Sequence, residues 1–297
     1  MSTSKLASDH AAKTYRYLRI GILGATAMLL ASVSLEMIET KCFLTSISAY
    51  YYTAARPVFV GALLAIGLAL ITIKGDRKED LALNVAGMLA PVVALVPIRS
   101  FDKVGNCLVR DPLRDADPEV LEAFLDLSVG NNMSALLWAG VGGLVVTVVV
   151  LFKGRKTPSM LIRTLRGPRS SSERESLVDL ILFASLAAVF ASWFAFLRVS
   201  FIDRAHLVSA GGMFVALAVA ALVCSKYASG WHRKTYRWIG IAMIVSIPVL
   251  ALSSFVFNWW ILVLELIEIA LFAAFWAVQT IERWDEKVVA TPSSQPG

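Results

Sequence analysis

Long apolar runs, each closed by charges, prolines or asparagines, succeed one another along the chain without two-residue alternation inside them. Eight are long enough to cross a hydrocarbon layer that takes about 20 helical residues: 17–38, 56–73, 81–98, 134–152, 177–197, 206–225, 237–257 and 259–281. Lipid admits only helices and closed barrels, because backbone groups find no water there, and the missing period of two argues against a barrel. The predicted fold class is all-α, an integral membrane bundle of eight transmembrane helices over residues 17–281. A tail, 1–16, precedes it. A Ser/Pro-rich tail, 282–297, comes after it and is expected to be partly disordered.

The last run departs from the pattern, because Glu265 and Glu268 interrupt it. At about 100° per residue, Glu265, Glu268, Phe272, Gln279 and Glu282 fall within roughly a third of the helix circumference, and the opposite face is continuous hydrocarbon. An ionised carboxylate deep in a bilayer costs several kcal/mol, so these groups are expected to face the bundle and to be paired, protonated or functional. At three residues apart they repel if both are charged. Arg56, Arg99, Arg198, Arg204 and His206, all at span ends on one side, are the candidate partners. A structural role stands beside the functional one, in which Glu265 or Glu268 bonds across helices to a Ser, Tyr or Arg and holds the bundle together.

Charge distribution sets the orientation. Of 297 residues, 57% are hydrophobic and 17% charged, against about a quarter charged in soluble domains. The net charge of +6 would suggest nucleic acid on a soluble domain. Here Lys and Arg divide 20 to 8 between alternate connections, which places both termini in the cytoplasm and accounts for the excess, so no nucleic-acid partner is implied. The basic loop 153–176 carries Met160, Leu161, Ile162 and Leu165 among seven cations, an amphipathic stretch expected to rest on anionic lipid headgroups or to bind a membrane partner.

The opposite face offers three features. Tyr50, Tyr51 and Tyr52 read either as an aromatic belt at the interface, or as part of an outward-facing pocket in which Tyr51, Tyr52 and Thr53 surround the cation of Arg56. In the outer loop 99–133, Asp117-Pro118-Glu119 marks a helix start, and Val120, Leu121, Phe124 and Leu125 supply an apolar stripe. That helix is expected to lie on the membrane surface or cap the bundle, with a lid as the alternative. Cys42 and Cys107 fall on this same extracytoplasmic side, which predicts a disulfide between them. Inside the spans, Pro91 and Pro97 predict a kink, and Gly61, Ala65 and Ala69 a close helix contact.

Other chemistry is thin. The three histidines, His10, His206 and His232, fall on different sides, which argues against a multi-His metal site, and HExxH, GxSxG and GxxxxGK[ST] are absent. No cofactor is implied. The blocks SISAYYYTAARPVFVGALLAIG, KGDRKEDLALNVAGMLAPVVALVP and LELIEIALFAAFWAVQTIERW resemble a group of bacterial, especially actinobacterial, multi-span membrane proteins of uncharacterised activity. The resemblance implies the architecture and a bacterial cytoplasmic membrane, and no activity. The leading expectation is an outer-half polar cavity around Glu265, Glu268, Arg56, Arg198, His206, Tyr51 and Tyr52 that binds or translocates a small cation, a proton or a polar lipid group. A structural or assembly subunit, partnered by another protein or a second copy, is the alternative, and a lipid-modifying enzyme is third.

Overall fold

The computed structural model describes residues 3–41, 43–98, 117–152, 171–256 and 258–284. Each apolar run becomes an α-helix: α1 (Thr3–Thr40), α2 (Arg56–Thr72), α3 (Arg77–Leu95), α4 (Pro118–Phe152), α5 (Ser171–Phe196), α6 (Arg198–Tyr227), α7 (Gly230–Ser253) and α8 (Trp260–Glu282). One short 3-10 helix, Ile47–Tyr52, lies between α1 and α2. No strand occurs among the described residues. Six of the helices, all but α2 and α3, are long and apolar enough to cross a membrane. The chain is a multi-pass membrane protein on that basis.

Local chemistry explains the boundaries. Asp76 caps α3 by accepting from the Lys78 backbone N–H at 3.2 Å, and Glu79 and Asp80 in the first turn oppose the positive end of the helix dipole. Asp117 accepts from Glu119 N–H at 3.2 Å with Pro118 opening α4, as its sequence predicts. The length of α4 differs from expectation. Residues 118–152 form one continuous helix of 35 residues rather than a surface helix plus a span, with no proline between Asp126 and Ser134 and with Gly130, Asn131 and Asn132 carried inside it. At about 1.5 Å per residue it exceeds the hydrocarbon thickness by several turns. The expected connection 198–205 likewise disappears into α6, leaving Leu197 as the single non-helical residue after α5.

The two shortest helices sit at the centre. α3 packs between α2 and α6, and α6 in turn carries α7, which carries α8. α1 lies against α2 and closes on α8, where the Arg16 guanidinium stacks 5.3 Å from the Trp284 ring. Both ends of the described chain therefore meet at one end of the bundle, here the terminal end. The turn at Gly75, the α6–α7 junction and Asp179 of α5 belong to the same end, the last through Lys74 and Arg77, each 3.9 Å away. The helices run alternately up and down.

Close approach is set by glycine at two crossings. A Cβ built on Gly87 would stand 2.6 Å from the Gly67 carbonyl oxygen and 2.7 Å from Ile71 Cγ1, so α2 and α3 touch backbone to backbone. On Gly240 it would meet Leu222 Cγ at 2.7 Å and the Ala218 carbonyl at 2.9 Å, which brings α7 onto α6. Gly61 meets nothing within 4 Å, so the predicted Gly61 contact is replaced by one at Gly67. α4 and α5 stay peripheral, with Trp138 75% exposed on α4.

Candidate functional site

Residues 43–55 were expected to form a loop whose tyrosines serve either as an interfacial belt or as the wall of an outward-facing pocket around Arg56. They fold back instead into the far end of the bundle as a plug, with every residue from Leu44 to Tyr52 buried. Irregular backbone at that depth requires partners inside the protein, and the plug has them. Tyr50 Oη accepts from Leu44 N–H at 3.1 Å, and Tyr52 Oη donates to the Ile98 carbonyl at 2.8 Å. Tyr51 Oη accepts from Arg56 Nη2 at 2.9 Å, and the guanidinium also lies over the Tyr51 and Phe124 rings at 4.4 and 5.3 Å. Arg56 is thus held by aromatic faces and a phenol.

Glu265 fastens the plug from α8. Its carboxylate accepts from the Ile47 backbone N–H at 2.5 Å, from Ser48 Oγ at 2.7 Å and from Ser46 Oγ at 2.9 and 3.0 Å. Ser46 Oγ in turn accepts from Ser48 N–H at 3.0 Å. A carboxyl group at the start of a 3-10 helix, surrounded by donors, meets the unpaired N-terminal amides of that helix. Here the carboxyl group belongs to the chain itself.

Glu268, one turn on, does something else. It is 0% exposed, and its Oε1 accepts from Ser246 Oγ of α7 at 2.6 Å, while Ser246 also bonds the Met243 carbonyl at 3.0 Å. Its Oε2 is buried without a hydrogen-bond partner among the described residues. Three residues rotate a helix position by about 60°, enough to send Glu265 to the plug and Glu268 to α7. No ion pair to either glutamate occurs among the described residues.

Arg56, Arg198 and His206, three of the expected cationic partners, are engaged elsewhere, Arg204 is exposed, and Arg99 lies outside the described residues. Arg198 donates to Asp126 Oδ1 at 2.7 Å and to the Asp126 carbonyl at 2.9 Å, lying over Phe194. His206, 3% exposed, places Nδ1 2.7 Å from the Val96 carbonyl. That carbonyl lies just past the end of α3, where Pro97 has no N–H to continue the helix, so His206 serves as a cap across helices. Cys42 and Cys107 lie outside the described residues, as do most of the outer loop and residues 153–170 of the basic loop.

A cavity of about 60 Å³ does lie beneath the plug, between α1, α2, α6 and α8, but it is apolar rather than polar. Leu29, Phe59, Ile66, Met213, Leu217 and Phe272 supply much of its wall, and Thr26, Ser48 and Glu265 are its polar side chains.

A second polar constellation, not anticipated from sequence, occupies the terminal end. Glu79, 1% exposed, accepts from Gln279 Nε2 at 2.7 Å and from Arg283 Nη2 at 2.8 Å. Cys224 Sγ lies 3.7 Å from the same Gln279 nitrogen, and Tyr236 Oη donates to Glu282 Oε2 at 2.6 Å. The legible signal was the polar face of α8, which continues through Gln279 and Glu282. Its partner Glu79 was hidden in a turn that reads as solvated. A short distance along that turn, the Asp80 carboxyl is pushed up to about 6 by burial, a shift the Gly75 N–H bond at 2.5 Å opposes.

These polar groups can hold protons and brace helices. Among the described residues, no three His, Cys, Asp or Glu side chains converge where they could hold a metal ion. No family model matches the chain, and no curated protein or solved structure does so.

Proposed function

We propose that this membrane protein binds a proton or a small cation at Glu268, in the contact between α7 and α8. The observation that carries the reading is the unequal treatment of the two carboxylate oxygens: one bonded to Ser246, the other buried with no partner among the described residues. A buried polar atom left unsatisfied calls for an ion, a water or a proton, and an ionisable group within a span is by default a functional one. Glu265 has a different part in this reading. Its oxygens are taken by the plug, so it braces the far end of the bundle.

The finer topology belongs to the same proposal: eight passes, both termini cytoplasmic, in a bacterial cytoplasmic membrane, with the basic loop on anionic lipid. The supports are the 20-to-8 division of cations and the meeting of Arg16 and Trp284 at one end.

Proteoliposomes under an imposed proton or sodium gradient test the site. Glu268→Gln is expected to abolish flux, whereas Ser246→Ala reduces it. Wild-type protein without flux, or Glu268→Gln with wild-type flux, would refute transport at this position. A structural subunit is the second reading, favoured by the plug bonds of Glu265, and it predicts that Glu268→Gln lowers stability or partner yield only.

A further inference from the structure

We infer that the cavity beneath the plug is a binding site for the end of a hydrocarbon chain supplied by a bilayer lipid. The chemistry of the wall excludes a polar guest. Ten of its residues carry purely hydrocarbon side chains drawn from α1, α2, α6 and α8, among them Leu29, Leu63, Ile66, Leu217, Ile269 and Phe272. The polar side chains facing it are committed within the protein. Thr26 Oγ1 donates to the Ile22 carbonyl at 2.8 Å, Ser48 Oγ donates to Glu265 at 2.7 Å, and the Glu265 oxygens take the donors of the plug. A guest here gains contact with hydrocarbon and no new hydrogen bond.

Size sets how much of the guest enters. A cavity of about 60 Å³ is less than half of a roughly 150 Å³ apolar cavity that takes up benzene, so it accepts the last two or three carbons of a chain and not a whole molecule. The route is lateral. On α6, Ala210 and Phe214 are only half-buried, as is Ile269 on α8, whereas Leu29, Phe59 and Leu70 at the back are buried. The apolar wall is therefore least covered at Ala210, Phe214 and Ile269, on two helices apolar enough to cross a membrane that would stand among lipid chains. The plug closes the other direction through Ile47 and Ser48. A lipid whose chain end lies in the cavity keeps its headgroup and remaining carbons outside, in the layer around the helices.

Photolabelling decides the point. The full-length protein is reconstituted in phosphatidylcholine nanodiscs with a fatty acid carrying a diazirine at its terminal carbon, irradiated, and mapped by mass spectrometry. Label is expected on cavity residues of α6 and α8, such as Met213, Leu217 and Phe272, as well as on exposed positions such as Trp138 and Val245. Ala210→Phe, which fills the lateral opening, should lower cavity label about tenfold, the equivalent of losing the burial of about two methylene groups, and leave the exposed label unchanged. Where that variant does not fold, Ile269→Phe narrows the opening from α8. Label confined to the exposed positions, or cavity label indifferent to a folded filling variant, would overturn the site.

Discussion

Removing the Glu265 carboxylate is the sharpest available perturbation of the fold. In Glu265→Ala the Ile47 N–H loses its acceptor and the Ser46 and Ser48 hydroxyls lose theirs, all at buried positions. A buried donor left unpaired costs about 1–3 kcal/mol. The hydroxyls can turn toward other acceptors, while the amide is fixed by the 3-10 helix. The total comes to about 3–5 kcal/mol, a large share of the 5–15 kcal/mol typical of a folded domain. Glu265→Gln keeps one acceptor oxygen for Ile47 and presents an amide to two hydroxyls that can accept, so about half that loss is expected. Equilibrium unfolding in mixed micelles measures the difference. Ala49→Cys, introduced with the native cysteines replaced by serine, reports whether the plug has left its seat, since Ala49 is buried in the native fold. Maleimide should react slowly with that thiol alone and rapidly once Glu265→Ala is added. Equal stability together with equal protection of the thiol would show that the carboxylate does not hold the plug.

Further perturbations test other parts of the bundle. Gly87→Leu should prevent the α2–α3 contact, costing more than the 1–3 kcal/mol usual for overpacking because the obstacle is the Gly67 backbone, and it should lower the yield of monodisperse protein on gel filtration. Arg283→Ala should cost about 3–5 kcal/mol by leaving the Glu79 charge buried without its cation, and Glu79→Gln in the same chain should recover much of that loss in the unfolding midpoint. Asp80 predicts a pH effect of definite sign. Its folded carboxyl titrates at about 6 and its ordinary value is 3.8, so the folded state binds the proton more tightly and stability rises as pH falls from 7 toward 4. Asp80→Asn should flatten that slope in a pH series of melting curves.

The helices were readable in the sequence because length and hydrophobicity suffice for them, and the start of α4 because Asp117-Pro118 has one local meaning. The plug was not readable. A stretch of serines and tyrosines between spans has the composition of an interface belt, and partners distant in sequence, Glu265 more than 200 positions away among them, turn it inward. The polar face of α8 was visible from periodicity, yet period alone could not tell that Glu265 and Glu268 serve different neighbours. Arg56, Arg198 and His206 were legible as groups at the same end, but nearer partners claimed each of them: Tyr51, Asp126 and the Val96 carbonyl. Glu79 escaped notice because five charges in succession look like a solvated turn, while its side chain is turned under α8.

The crossing of Gly67 with Gly87 carries a consequence for assembly. α2 has 17 residues, and α3 has four charged residues in its first turn, so each is a weak candidate to partition into lipid alone. Joined by a four-residue turn and in contact along their backbones, they form a hairpin that can enter the membrane as one insertion unit. A larger side chain at either glycine would then act during biosynthesis, before any stability measurement, as a failure of the nascent hairpin to insert.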